Sequence, residues 1–546
     1  MTGCLIFRLK LGGSDKEITS TSYSIAMSIK LNSTQLGILC LISILSIFIG
    51  CGQPNFEYSI ETQLNPYNLA PLTALLKIKA EKPCRASIKV LGKMPMEQSF
   101  EEFSDSLNIP VLGLYPDTIN EVVVTLQYEG GQVEETVKIK TDAIPASFPD
   151  IEINKIDRQS MEPGWHACDI HYAQQGKFHS IPMIFDDEGK VRWYLDLSFA
   201  EEMVGPFQLL SNGAIIMASR HVIYEFDMLG QLLRKTDVDQ NYGMHRDKVE
   251  LPDGTLLICV GKRNDIINLD GVETISDSDF IIQFDRKNGK ILKEWDMAKH
   301  LDVSRKDINH LRPGDWFHMN GLAYNEKDST IIVSGKNQGL AKISWNDELQ
   351  WIMSPKRSWE NAGRDGKGFD TRPFLLTAIN AEGKPYAKEI QDGTVSADDF
   401  DFPWGQHSPM LLPNGNILVF DNGAVRNFVL KPNYSRAVEY KVDEKNKTVE
   451  QVWQYGKERG IDFFSLIISD VDYLPNTKNI LVTSGHLRPD ARYSAKIVEV
   501  DYATGKEVFE ATLYYKSLNG NKTFAWGQMD ILFRSERMPL KYIKPE

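Results

Sequence analysis

The chain has 546 residues, 42% of them hydrophobic and 25% charged, with a formal net charge of −13 at pH 7. That length exceeds one ordinary domain and predicts two or more, with ample material for a core. The acidic balance excludes a general nucleic-acid binder, which needs a basic surface.

In chain order, Lys30 precedes an apolar run from Leu36 to Gly50 that ends Phe-Ile-Gly-Cys at Cys51. The run is short for a membrane span and right for a signal-peptide apolar region. A small residue followed by Cys resembles a bacterial lipoprotein cleavage site, which makes Cys51 the lipid-bearing first residue of the mature chain. On this reading residues 1–50 are a signal peptide, with 1–26 an over-extended start ahead of Met27. The body is then a periplasmic or cell-surface lipoprotein, anchored to the membrane through Cys51. An uncleaved anchor is the alternative, and it also leaves the body outside the cytoplasm. Beyond Cys51 only Cys84, Cys168 and Cys259 remain, with no Cys-x-x-Cys pair. A thiolate metal site is therefore not expected, while one disulfide stays open.

Residues 51–150 alternate apolar and polar positions in short runs such as Leu75–Ile78, Ala86–Val90 and Val122–Gln127. This predicts an N-terminal β-sandwich. The segment holds no histidine, so catalysis is not expected there.

From residue 151 to 546 a two-hairpin unit recurs. Apolar strands flank Asn212-Gly213, Asp253-Gly254 and Asn414-Gly415, and a second hairpin follows in segments such as Tyr224–Leu233 and Ala437–Tyr455. Asn-Gly and Asp-Gly between alternating strands are strong hairpin signals. Two hairpins per unit make a four-stranded blade. Anchors near residues 205, 245, 318, 407 and 469, with a sixth unit at Ile181–Leu195 closed by Phe524–Arg534, predict a six-bladed β-propeller. The fold class is thus all-β.

His245, His318 and His407 each lie a few residues ahead of such a turn, at equivalent places in three units. A radial array aims all three imidazoles at one mouth of the central channel. The returning strands bring Arg220, Lys262, Arg263, Lys336 and Arg488 to that mouth, which implies an anionic ligand. Insertions at 298–316 and 353–404 are expected over the same face, with Trp316, Phe317, Phe402 and Trp404 as apolar walls. An anion on an aromatic body suits such a site. Three histidines also suit zinc, but no His-x-His or His-x-x-x-His ligand pair accompanies them and the neighbours are cationic. No metal or other cofactor is expected.

The stretches Trp-Phe-His-Met-Asn-Gly, Gly-Gln-His-Ser, Phe-Asp-Asn-Gly and Tyr-Ser-Arg-Ala-Val-Glu-Tyr, on a sandwich plus propeller, resemble the bacterial aryl-sulfate sulfotransferases. The likeness runs from about Asn65 over most of the chain. It implies a nucleotide-independent transfer of a sulfuryl group from an aryl sulfate to a phenol, through a ping-pong mechanism. His407 matches the histidine that becomes sulfurylated, His318 and Asn320 match a His-x-Asn element, and His245 matches the remaining active-site histidine. Lys336 stands where the family usually has Arg, which weakens bidentate contact to two oxygens. The family's cysteine pair is missing, since no cysteine follows Cys259. Lys336 and Asn320 are expected to bind sulfuryl oxygens, and the division of roles between His245 and His318 stays open. Partners are small phenolic sulfates and phenols, with a homodimer also known among such enzymes. No Gly-x-x-x-x-Gly-Lys-Ser/Thr loop is present, consistent with a donor that is not a nucleotide. Two alternatives remain: an aryl sulfate hydrolase on the same scaffold, and a non-catalytic propeller lipoprotein that binds an anion or glycan.

Overall fold

Alternation of buried and exposed positions along Ala74–Val90 makes this strand the backbone of the N-terminal domain. Its first half pairs with Tyr58–Leu64 and Ser104–Val111, its second with Met96–Ser99 and Ile119–Tyr128. The register breaks between Lys79 and Cys84, around Pro83, and one strand thereby serves two layers. Proline removes a ladder donor, so a break there is the expected response. The outcome is the small sandwich that the alternation predicted. The computed structural model describes residues 56–545 except 175–176, 201, 278, 306–311, 430, 432, 489–491 and 517–529. The signal-peptide and lipidation readings, Cys51 included, fall outside the described residues.

Among the described residues six sheets of four or five strands follow in a propeller-like ring, with a separate two-stranded sheet of Ile266–Leu269 and Val272–Ile275. Their turns work as the sequence suggested, with Gly254 and Gly415 at φ +78° and +87°, a region that costs glycine nothing. The third sheet runs Tyr242–Glu250, Leu256–Lys262, Phe280–Asp285, Lys290–Asp296 from the channel outward, and the fourth runs Met319–Asn325, Thr330–Gly335, Gly339–Ser344, Leu349–Met353. The fifth begins with His407–Leu411 and the sixth with Asp470–Tyr473. Innermost strands of neighbouring sheets touch. They come close enough that a Cβ on Gly321 would lie 2.4 Å from Pro409 Cδ. Between sheets the space is filled by large apolar side chains, including Trp295 and Phe317 in one gap and Trp351, Trp404 and Tyr440 in the next.

Ring closure follows the expectation in outline. The closing strand is Ile531–Met538, and it joins the sheet that holds the Ile181–Leu195 hairpin, with Trp165–Gln174 as its immediate neighbour there. The first sheet thus takes its innermost strand from the C-terminal end, and the last takes Asp150–Ile156 as its outermost. Cys84, Cys168 and Cys259 are free and buried, and the disulfide left open by the sequence does not form among them.

Candidate active site

A local irregularity places each histidine. Pairing of Tyr242–Glu250 with Leu256–Lys262 shifts register between Met244 and Lys248, so His245 leaves the ladder. His318 sits just before its strand at φ +52°, and the strand's register shifts between Met319 and Gly321. In the fifth sheet the shift lies between His407 and Met410, with Ser408 at φ +50°. Bulges re-aim side chains at the rims of sheets, and positive φ in a non-glycine residue is stored strain that recurs at functional sites.

The three imidazoles share one cavity of about 300 Å³ with Asn320, Lys336 and Arg534. The rings of His245 and His318 meet edge to face, centroids 5.1 Å apart. Every catalytic and substrate-binding residue expected from the sequence is therefore brought together. The apolar wall is different. Ile467, Ile468, Phe533 and Pro206 supply it. Trp316, Phe317, Phe402 and Trp404 are buried in the cores between sheets instead. The insertion at 353–404 lines neither this cavity nor the larger one beside it. It carries Thr377–Ala378 onto the outer edge of the fifth sheet and packs its aromatics into the gap behind. Arg488 and His486 line neither cavity either, and His486 is buried against the Asp530 carbonyl.

Hydrogen bonds fix the protonation of two rings. Asn422 Nδ2 donates to the carbonyls of Ser465 and Ile468, both at 2.8 Å. Its Oδ1 must then face His407 Nδ1, 2.7 Å away. An amide oxygen only accepts, so Nδ1 carries the proton and Nε2 keeps its lone pair. Burial drives the His407 pKa down to about 3, against the pull of Asn422 and with Lys336 and His318 adding like charge. The ring is neutral throughout the physiological range. His318 Nδ1 lies 2.9 and 2.8 Å from the two Asp315 carboxylate oxygens, and so it too is protonated at Nδ1.

The charged groups follow from the same packing. Lys336 donates its backbone N–H to the His318 carbonyl at 3.0 Å, and burial holds its amine below the usual value, opposed by Asp315. Arg534 reaches in from the closing strand and bonds Asp247 at 2.5 Å. Asp247 also accepts the backbone N–H of Leu322 at 2.6 Å and of Lys248 at 2.9 Å, tying three innermost strands together. Asn320 is engaged on both ends: Nδ2 donates to the Gln406 carbonyl at 2.7 Å and Oδ1 accepts from Ser334 at 2.8 Å. The Gln406 side chain returns the contact, donating to the carbonyls of Gly335 and Gly339 at 3.0 Å. Asn320 and Gln406 thus lock the fourth sheet to the residue preceding His407.

The motif residues around Asp421 are scaffold. Its buried carboxylate accepts from Arg426 Nη2 and Arg436 Nε at 2.9 Å, and from the backbone N–H of Trp404 at 2.8 Å. Burial pushes that carboxyl up, yet the two guanidinium groups hold it below its ordinary value. Ser435 Oγ donates to the Asn422 carbonyl at 2.7 Å, which steadies the residue that orients His407. Asp315, Asn422 and Arg534 are the site residues that sequence reasoning left unassigned. Asp315 had a local signal, standing three residues ahead of His318. Arg534 had none. Among the described residues no group of three or more His, Cys, Asp and Glu is arranged to hold a metal ion.

The wall of His245, His318 and Arg312 is shared with an outer chamber of about 840 Å³, whose lining includes Arg220, His221, Lys262 and Arg263. Of the cations expected at the mouth, Lys336 lines the inner cavity, Arg220, Lys262 and Arg263 line the outer chamber, and Arg488 lines neither.

Comparison with known proteins agrees with this architecture. The Arylsulfotransferase (ASST) family model matches residues 153–523, and the Arylsulfotransferase Ig-like domain model matches residues 61–142. The chain is 29% identical to Arylsulfate sulfotransferase AssT of Escherichia coli O6:H1, covering 82% of this chain and 88% of that one. It is 30% identical to Arylsulfate sulfotransferase AssT of Lelliottia amnigena, with 81% and 88% covered. Among solved structures, a protein of unknown function from Bacteroides caccae aligns over 66% of this chain and 97% of that one, at 12% identity and a TM-score of 0.37, a likeness too weak to build on. Both portions of the body, sandwich and ring, place this chain in the arylsulfotransferase family.

Proposed function

We propose that the protein transfers a sulfuryl group from an aryl sulfate to a phenol by double displacement at His407. The observation that carries this is the anchored, neutral imidazole, its Nδ1 proton committed to Asn422 and its other nitrogen left as a nucleophile. Nε2 attacks sulfur, the bond from sulfur to the aryl oxygen breaks, and the oxygen leaves with the electron pair. His318 gives that oxygen a proton from Nε2. In the second step neutral His318 takes the proton of an incoming phenol, whose oxygen attacks sulfur. The N–S bond breaks and His407 is restored. Charge spreads over the equatorial oxygens in such loose transfers, and catalysis is alignment plus electrostatics. Lys336 and Arg534 are the cations on the cavity wall that meet those oxygens.

Asp315 behind His318 favours that ring over His245 as acid and base, because its carboxylate is a counter-charge for the imidazolium. His245 then packs edge-on against His318 as a wall of the sulfuryl pocket. The Ile467, Ile468 and Phe533 wall suits an aryl ring. We further propose that the body works outside the cytoplasm, anchored through Cys51. Loss of membrane association in a Cys51→Ser variant tests this.

The test of the mechanism uses 4-nitrophenyl sulfate without acceptor. An acid-labile sulfate should appear on the peptide bearing His407, with one nitrophenol released per enzyme, and added phenol should restart release. A His407→Ala protein that turns over at the wild-type rate removes His407 as nucleophile. A wild-type rate indifferent to phenol points to hydrolysis.

A further inference from the structure

We propose that the outer chamber is a second anion subsite, and that the preferred phenolic substrates carry an additional carboxylate or sulfate ester remote from the reacting oxygen. This rests on the transferase reading and narrows it to a substrate class. The chamber, at about 840 Å³, far exceeds what a phenol ring needs beyond the 300 Å³ inner cavity, and the two share His245, Arg312 and His318. A molecule reacting at His407 therefore extends its other end into the chamber.

The charges of that wall are unevenly committed. Arg312 bonds Asp277 at 2.7 Å and Lys262 bonds Glu294 at 3.0 Å. Asp315 belongs to His318 and Asp247 to Arg534. Glu202 is exposed at the rim. Arg220 and Arg263 make no ion pair among the described residues. They come from different sheets and converge on one stretch of chain. The Arg220 carbonyl accepts the Met244 N–H at 2.8 Å, and the Arg263 N–H donates to the Asn241 carbonyl at 2.7 Å. Both therefore flank the residues immediately ahead of His245. Arg220 lies over Gly243, where a Cβ would come within 3.0 Å of its Nε. His221 adds a third nitrogen base, its Nδ1 2.9 Å from the Tyr242 carbonyl.

Two unpaired arginines on a convex surface would be ordinary solvated charges. Here they sit on a concave wall continuous with the reaction centre, in a protein of net charge −13. A cleft focuses such a field on an incoming anion. The planar guanidinium fork matches a carboxylate or sulfate in a way that an ammonium does not.

The test compares two acceptors of the same phenol chemistry, 4-hydroxyphenylacetate and tyramine, with 4-nitrophenyl sulfate as donor and phenol as neutral reference. The wild type should favour the anionic acceptor by about tenfold in kcat/KM at low salt, falling as ionic strength rises. In the Arg220→Gln, Arg263→Gln double variant the preference should collapse to within about twofold, while kcat/KM for phenol stays at wild-type level. Calorimetric binding of 4-hydroxyphenylacetate to both proteins gives a readout independent of turnover. Weaker binding in the double variant supports the subsite even in a protein that fails to turn over, whereas equal binding, or a preference that survives both substitutions, overturns it. Inactivity toward phenol itself counts against the transferase reading and leaves the binding comparison intact.

Discussion

Replacing Asn422 is the most direct probe of how the fold makes His407 a nucleophile. An alanine there deletes the Nδ1 acceptor at 2.7 Å and both donors, at 2.8 Å, to Ser465 and Ile468. The Ser465 carbonyl keeps the Ser435 hydroxyl at 3.3 Å, and the Ile468 carbonyl is left with no replacement among the described residues. The bonds to His407 and Ser465 at about 1 kcal/mol each and the stranded Ile468 carbonyl at roughly 1–3 kcal/mol give a stability loss of about 3–5 kcal/mol. The kinetic effect has a different origin. Without an acceptor at Nδ1 the proton moves to Nε2 for much of the time, and the ring turns. A misplaced or mis-protonated nucleophile costs on the order of a hundredfold, or about 2.7 kcal/mol of barrier.

An aspartate separates the two effects. Its carboxylate still accepts the Nδ1 proton but faces two carbonyl oxygens, so Asn422→Asp should be no more stable than Asn422→Ala and yet faster. The assay is stopped-flow release of 4-nitrophenol at pH 8, first turnover for sulfuryl transfer to the enzyme and steady state with saturating phenol, beside urea unfolding of each variant. KM for the donor should move less than about threefold, because Lys336 and Arg534 remain. An alanine variant within threefold of wild-type first-turnover rate, or rates that simply follow stability across the pair, would refute the reasoning.

Other outcomes follow from the same geometry. Lys336→Arg should lower the donor KM by about three- to tenfold and strengthen inhibition by inorganic sulfate, because a fork replaces a point charge; an unchanged KM sinks the assignment. In a His318→Gln protein the first-turnover rate with 4-nitrophenyl sulfate, whose leaving group needs little help, should stay flat from pH 8 to pH 5. His407 is held neutral down to about 3, and an acid limb centred near 6.5 would mean it titrates like a free histidine. Glu536→Gln should help stability more at pH 8 than at pH 5, by roughly 2 kcal/mol. Burial raises that carboxyl from 4.5 to about 7, so the native state binds the extra proton in this window and wild-type stability falls as pH rises through it. Equal gains at both pH values, measured by urea unfolding, would dismiss the shift.

Hairpins were legible because their chemistry is local. Asn-Gly and Asp-Gly each demand a left-handed backbone, and Gly254 and Gly415 adopt it. The three histidines were legible because each stands seven to ten residues ahead of a hairpin turn, at Asp253-Gly254, Asp328-Ser329 and Asn414-Gly415. The closing strand was legible only in outline, since its immediate partner is Trp165–Gln174 at the far end of the chain, and a partner that distant leaves no local pattern. Trp316, Phe317, Phe402 and Trp404 were assigned to the mouth because they flank histidines. They stand in the segments ahead of the strands that begin at Met319 and His407, and their rings pack into the gaps between sheets. Asn422 stood within a quoted motif, but its role depends on two carbonyls more than forty residues away, at Ser465 and Ile468.

The arrangement explains how an acidic chain can attract and hold an anion. Its carboxylates near the channel are spoken for one by one: Asp315 by His318, Asp247 by Arg534, Asp277 by Arg312. Those without a full partner hold their protons to higher pH instead. Burial raises Asp470 to about 6 and Glu536 to about 7, and burial together with Asp470 raises Asp472 well above its ordinary value. Each proton held on these carboxyls removes a negative charge from around Arg534, which already has Asp247 beside it and Asp169 accepting its backbone N–H at 3.2 Å. Ionising all three adds three negative charges beneath the sulfuryl pocket. The low local dielectric that makes His407 neutral is therefore the same condition that lessens the negative charge of the channel floor beneath an anionic substrate.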